Sequence, residues 1–225
     1  MTLSVTFVLF PELTQLDLTA PAQVLSRLPD AAMHYASANE APVPTDSGFS
    51  ILPTATFEDA ASCDIVCVPG GPGVAAALTD EATVAFINRA SRNARYVTSV
   101  CTGAFLLGAA GALSGKRATT HWAYRHLLPS VGATPAEGRV VRDGNLFTGG
   151  GVTAGLDFAL TVAAEMAGED TARMIGTAIE YTPAPPFGPC GYDAQPQAIR
   201  SALDARYETS VVRMAGALDT LKTLR

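Results

Sequence analysis

The stretch YVTSVCTGAFLLG (residues 96–108) changes character at one cysteine. Before Cys101 the residues are mostly β-branched or aromatic, and after it they turn to small and helix-forming ones. The thiol therefore falls where a strand must turn into a helix. Backbone N–H groups at the start of that helix, with its dipole, favour a thiolate and are expected to lower the cysteine pKa. Thr102, Gly103 and Ala104 are small and leave room around the sulfur. A free cysteine ordinarily packs as a small hydrophobe. That role is assigned to Cys63 and Cys67, on or beside a strand, and to Cys190 in a loop. Position at the corner singles out Cys101 as a nucleophile.

Four other places complete the candidate chemistry. In VPGGPG (68–73), Gly70 and Gly71 follow an apolar run and could aim backbone N–H groups at an anion or oxyanion. Asp17, in QLDLTAP, follows the first apolar run. Alone it reads as a turn or helix-start residue. Buried beside a thiol, its pKa would rise and it would carry a proton. His121, in ATTHW, is the residue type that usually serves a cysteine as base. Spacing does not say whether it faces the thiol, and a partly buried histidine beside Trp122 explains it equally well. Gly150, inside the GGG of 149–151, marks close backbone packing near the site; no phosphate-loop pattern accompanies it.

These residues need a scaffold that gathers strand ends. Apolar runs at 3–10, 32–38, 63–69 and 96–100 read as strands. Residues 41–57 read as a loop and a short strand or hairpin, and 139–151 as a hairpin turning at Asp143–Gly144. Helices are expected at 18–28 (capped by Thr19, with Pro21 in the first turn), 80–93, 102–113, 121–129, 152–167, 170–179 and 195–222. Alternation of the two predicts a single α/β domain over 1–225, a doubly wound, mostly parallel sheet flanked by helices. Ligands of such folds bind beyond the carboxyl ends of the strands, where Cys101, Gly70 and Asp17 fall. The Pro-rich 182–189 reads as an ordered surface loop before a docking helix.

Composition bounds the function. With 48% hydrophobic residues in 225, the chain can bury a sizeable core. A net charge of −6, with 15 scattered Lys and Arg, argues against a nucleic-acid face. No secretory signal, membrane span or zinc spacing is found, so a reducing cytoplasm is expected, without metal.

As a set, VPGGPG, SVCTGAFLLGAAGAL (99–113), ATTHW (118–122) and the acidic residue at 17 resemble the ThiJ/PfpI superfamily, the class I glutamine amidotransferase-like proteins. The likeness spans nearly the whole chain and implies a flavodoxin-like fold. Within it the chain is most similar to the isonitrile hydratases, on Asp17, Thr102 and the segment IEYTPAPPFGPCGY. That resemblance implies a cofactor-free homodimer hydrating R–N≡C to an N-substituted formamide. Cys101 would be nucleophile, Asp17 general acid and base, and Thr102 a supporting hydrogen-bond donor. Phe187 and Tyr192 are expected to wall an apolar pocket. Glyoxalase or deglycase relatives usually carry Glu where this chain has Asp17. The sensor domains of AraC-type regulators share RATTHW and the corner, but continue into a DNA reader for which this chain offers no segment; a bare ligand-binding or redox-sensing module stays open as an alternative.

Overall fold

In the computed structural model, residues 2–60 and 62–223 are described. Met1, Ala61, Leu224 and Arg225, which the single-domain reading includes, lie outside the described residues. Seven strands form the sheet: β1 (Leu3–Val8), β2 (Ala31–Ser37), β3 (Ala55–Thr56), β4 (Ile65–Val68), β5 (Tyr96–Val100), β6 (Val140–Asp143) and β7 (Leu146–Gly149). Their order is β6-β7-β5-β4-β1-β2-β3, parallel throughout except for the antiparallel β6–β7 hairpin. The central strands β4 and β5 are buried along their whole length, as expected for strands covered on both faces.

The helices are α1 (Gln15–Leu25), α2 (Val74–Ala77), α3 (Glu81–Asn93), α4 (Gly103–Ala109), α5 (Ala154–Ala167), α6 (Glu169–Ala178) and α7 (Gln197–Thr223). They form two packed groups. In one, α1 and α6 pack on α5; the other joins α2, α3, α4, α7 and a 3₁₀ helix over Trp122–Val131. On α7, Tyr207, Val211, Met214 and Leu218 repeat at helical spacing and dock on the core, which makes this the docking helix expected after the Pro-rich loop.

Several boundaries differ from expectation, and three of them bear on the site. The first helix starts four residues before Thr19, at Gln15, with Thr14 at its N-cap. Its amide partner comes from a distant loop: the Gln15 N–H donates to Asp46 Oδ1 at 3.4 Å. Such a cap leaves no local signal. As a result Asp17 lies in the first turn of α1, and Pro21 lies inside the helix. The segment expected to be helical until Pro129 is a 3₁₀ helix that continues past it to Val131 and ends at Gly132, φ +78°. Last, α4 closes at Ala109, not residue 113.

Close approach of α4 to β4 also removes the space expected beside the corner. A Cβ on Gly103 would overlap the Val68 and Pro69 carbonyl oxygens. Gly103→Ala should therefore cost about 1–3 kcal/mol. Gly216→Ala, with open space around an exposed helix interior, should gain up to about 1 kcal/mol. Urea denaturation of both variants checks this; a Gly103→Ala as stable as the parent would contradict the packing described.

Candidate active site

The corner is built before any side chain is considered. Cys101 leaves β5 and adopts φ +53°, a region that costs a non-glycine residue energy and needs outside support. Support comes from three bonds. The Cys101 N–H donates to the Gly150 carbonyl at 2.9 Å and to that of Gly149 at 3.1 Å. The Cys101 carbonyl accepts from Thr120 Oγ1 at 2.7 Å. Gly150 in turn donates its N–H to the Arg139 carbonyl at 2.9 Å. Gly150 thus acts by holding the corner with its backbone, and the ATTHW segment reaches the corner through Thr120. The neighbouring TT pair was the signal for this contact, overshadowed by the histidine.

Asp17 enters from α1. It is 1% exposed, and its Oδ2 accepts the Gly70 N–H at 2.9 Å. Its carboxyl also interacts with the Cys101 thiol, while Oδ1 has no donor of its own among the described residues. Only glycine fits at 70: a Cβ there would stand 2.6 Å from the Thr102 amide and 2.9 Å from Asp17 Oδ2. The Gly71 N–H donates to Thr102 Oγ1 at 3.0 Å. Both amides are thus engaged in fixing side chains, where the sequence suggested donors open to a bound anion. The Thr102 backbone amide and hydroxyl both interact with the sulfur.

Charge in this pair is governed by burial. Desolvation raises Asp17 to about 7, against the Gly70 amide that lowers it. Burial, and next the Asp17 charge, push the Cys101 thiol well above its ordinary value; the Thr102 amide and hydroxyl pull the other way. The expectation of a lowered thiol pKa is therefore corrected: the helix-start amide acts as foreseen but is outweighed. Two adjacent buried groups of this kind titrate as a unit. When they hold one proton, moving it from sulfur to carboxylate creates thiolate and acid together.

His121 lies elsewhere. Its Nδ1 accepts the Ala123 N–H at 3.4 Å, and its ring packs 5.0 Å from that of Tyr207. Burial lowers its pKa to about 4, so it is neutral near pH 7, and it does not figure among the groups acting on the thiol. It belongs to an aromatic cluster with Trp122, Tyr124 and Tyr207, to which Tyr192 adds by stacking on Trp122 at 4.2 Å. Burial raises the pKa of Tyr207 on α7, and the Cys101 charge raises it further, which brings this residue into the surroundings of the thiol. It went unnoticed in the sequence because it lies 106 residues after the thiol on a separate helix. Tyr192 thus stands in the cluster bordering the site, whereas Phe187 is 94% exposed and walls nothing in this chain. Cys63 and Cys67 are raised to about 11 and 12 by burial, which suits packing thiols. Among the described residues there is no group of three or more His, Cys, Asp or Glu that could hold a metal ion, and no helix long and apolar enough to cross a membrane.

A flavodoxin-like sheet with a strained cysteine at one strand end and a carboxyl from the first helix defines a class of protein. The chain belongs to the DJ-1/PfpI family, whose sequence profile matches residues 3–165. It is 51% identical to the isonitrile hydratase of Pseudomonas putida over 96% of this chain and 98% of that one. A ThiJ/PfpI family protein from Pseudomonas syringae superposes with a TM-score of 0.94 at 36% identity, over 97% of this chain and 91% of the other. A transcriptional regulator of Pseudomonas aeruginosa, GbdR, is 30% identical over 66% of this chain but only 41% of its own length.

The raised Asp17 predicts a pH dependence of stability. Folded, Asp17 keeps its proton up to about pH 7; unfolded, it loses it near 3.8. Between these values the folded state binds the extra proton, so stability falls as pH rises, by on the order of 4 kcal/mol at most. Denaturation at stepped pH should show this slope in the parent and not in Asp17→Asn. Equal slopes in the two would contradict the buried protonated carboxyl.

Proposed function

We propose that the protein is an isonitrile hydratase that adds water to R–N≡C through a covalent adduct on Cys101. The observation that carries this reading is the buried Cys101–Asp17 pair, held by the Gly70 amide, in a chain 51% identical to an isonitrile hydratase along nearly its full length.

The geometry supports the following sequence. Transfer of the shared proton to Asp17 leaves a thiolate beside a carboxylic acid. Asp17 gives the proton to the isonitrile carbon as sulfur attacks it, forming a C–H and a C–S bond and a thioimidate, R–N=CH–S. The Asp17 carboxylate then takes a proton from water, and the hydroxide adds to the same carbon. Asp17 passes that proton to nitrogen. Loss of the hydroxyl proton to Asp17 forms C=O, and the C–S bond breaks. Formamide, thiolate and protonated Asp17 result, so no charge enters or leaves the site. The Thr102 hydroxyl and amide steady the sulfur whenever it carries charge. The aromatic cluster of Trp122, Tyr192 and Tyr207 supplies apolar surface suited to R.

Engagement of the Gly70 and Gly71 amides favours this reading over a glyoxalase. Thiolate addition to an oxoaldehyde makes an oxyanion that needs open donors, whereas isonitrile addition needs a proton at carbon.

Turnover of an aryl isonitrile, followed as formamide with methylglyoxal assayed in parallel, tests the proposal. Formamide is expected from the parent, with a loss of at least 10²-fold in Cys101→Ala and in Asp17→Asn. A parent that turns over neither substrate while iodoacetamide still labels Cys101 would overturn it, and a ligand-sensing role would explain the site better.

A further inference from the structure

The segment 43–51 is a small antiparallel hairpin pairing Val43–Pro44 with Ser50–Ile51, and Asp46 lies exposed in its turn. It is fastened to the chain just before α1. The Glu12 N–H donates to the Pro44 carbonyl at 2.8 Å, the Asp46 N–H donates to the Leu13 carbonyl at 3.1 Å, and Leu13 bridges to Thr45. The Asp46 carboxylate then accepts the Thr14 hydroxyl at 2.6 Å and the Gln15 N–H at 3.4 Å. Thr14 donates its own N–H to the Gly70 carbonyl at 2.8 Å, and the Gly70 N–H is the donor to Asp17. A continuous path of hydrogen bonds thus joins Asp46 to the site carboxyl.

We infer that Asp46 is a positioning residue for Asp17, fixing the start of α1 with its hydrogen bonds and setting a negative charge near the site carboxyl. The inference rests on the hydratase reading for its catalytic meaning, but not for its physical content. After burial, which raises Asp17, and the Gly70 amide, which lowers it, the Asp46 charge is the next influence and raises it further; the Cys101 thiol acts in the lowering direction. Those are the groups that face the carboxyl: Gly70 from the loop after β4, Asp46 from the hairpin, Cys101 from the corner after β5. An acid that must be protonated to start the reaction gains from a fixed anion nearby. An exposed anion supplies it without adding a second buried charge.

The test separates charge from structure. Asp46→Asn keeps the size and an acceptor oxygen and removes the charge; Asp46→Glu keeps the charge; Thr14→Val removes one hydrogen bond and keeps the charge. The Asp17 titration is read by carbon NMR of the carboxyl in the full chain, with Asp17→Asn assigning the signal. In Asp46→Asn the midpoint should fall by roughly a few tenths of a pH unit, the size expected of one solvent-screened charge. That difference should shrink in molar salt. Glutamate should restore the midpoint, and Thr14→Val should leave it near the parent value while lowering the melting temperature. The acidic limb of isonitrile kcat/KM should move down with the midpoint, because the reactive pair holds one proton and forms as the first one leaves. An unmoved midpoint in Asp46→Asn, or a shift indifferent to salt, overturns the inference. If Asp46→Asn does not fold, the parent itself decides: its midpoint must drop as salt rises. A midpoint that moves as stated in a protein that hydrates no isonitrile leaves Asp46's role standing and removes the hydratase reading.

Discussion

A carboxyl and a thiol share one dry corner of this protein, and much of the surrounding architecture serves that juxtaposition. Taking a carboxylate out of water is expensive unless it is neutralised or hydrogen-bonded. Asp17, 1% exposed, is given one strong donor, the Gly70 amide. That single bond imposes demands on three strand ends. The loop after β4 must come close enough that residue 70 carries no side chain. The strand β1 must lie beside β4 so that α1 starts over that loop. The strand β5 must lie on the other side of β4 so that Cys101 arrives next to both. The observed order β5-β4-β1 meets these demands.

Much of this was legible in the residues. Apolar runs announce β1, β4 and β5, because central strands of a parallel sheet are buried on both faces and cannot alternate. The change from YVTSV to TGAFLLG announces the corner, because the two halves favour different backbone conformations. What escaped were relations between distant segments. The start of α1 depends on Asp46, some 31 residues away from Gln15. Tyr207 and Thr120 reach the corner from separate elements. The protonation of Cys101 was misjudged for a related reason. A helix start and its dipole can be read locally, but the opposing influence comes first from burial and next from a carboxyl 84 residues earlier, both of which only the packed structure defines.

Rigidity and proton movement are assigned to different parts of the site. Main-chain groups hold the strained Cys101 backbone: the Gly149 and Gly150 carbonyls, with Thr120 closing the other side. Because those partners are carbonyls and a hydroxyl directed at the peptide, holding φ +53° makes no demand on the sulfur. Asp17 comes from a helix in the other packed group, so its carboxyl meets the thiol across the sheet ends without sharing a local backbone with it. A proton can therefore pass between the two with little main-chain change.

This arrangement bears on which chemistry the site can favour. A buried pair holding one proton is neutral on one side and negative on the other, and the transfer only relocates a charge that is already present. Surroundings rich in aromatic rings tolerate that relocation but penalise any new charge. A substrate that is neutral, accepts a proton at the atom sulfur attacks, and leaves neutral never asks for a new charge to be stabilised. An isonitrile fits that description. A carbonyl compound differs in taking its proton at oxygen, one atom beyond the carbon that sulfur attacks. The glycine amides that could have met that oxygen are bonded to Asp17 and Thr102 instead. Under the hydratase proposal, breaking either bond to serve an oxyanion would release the carboxyl or hydroxyl that positions the reaction, so the two hydrogen bonds that assemble the site would favour an isonitrile over a carbonyl substrate.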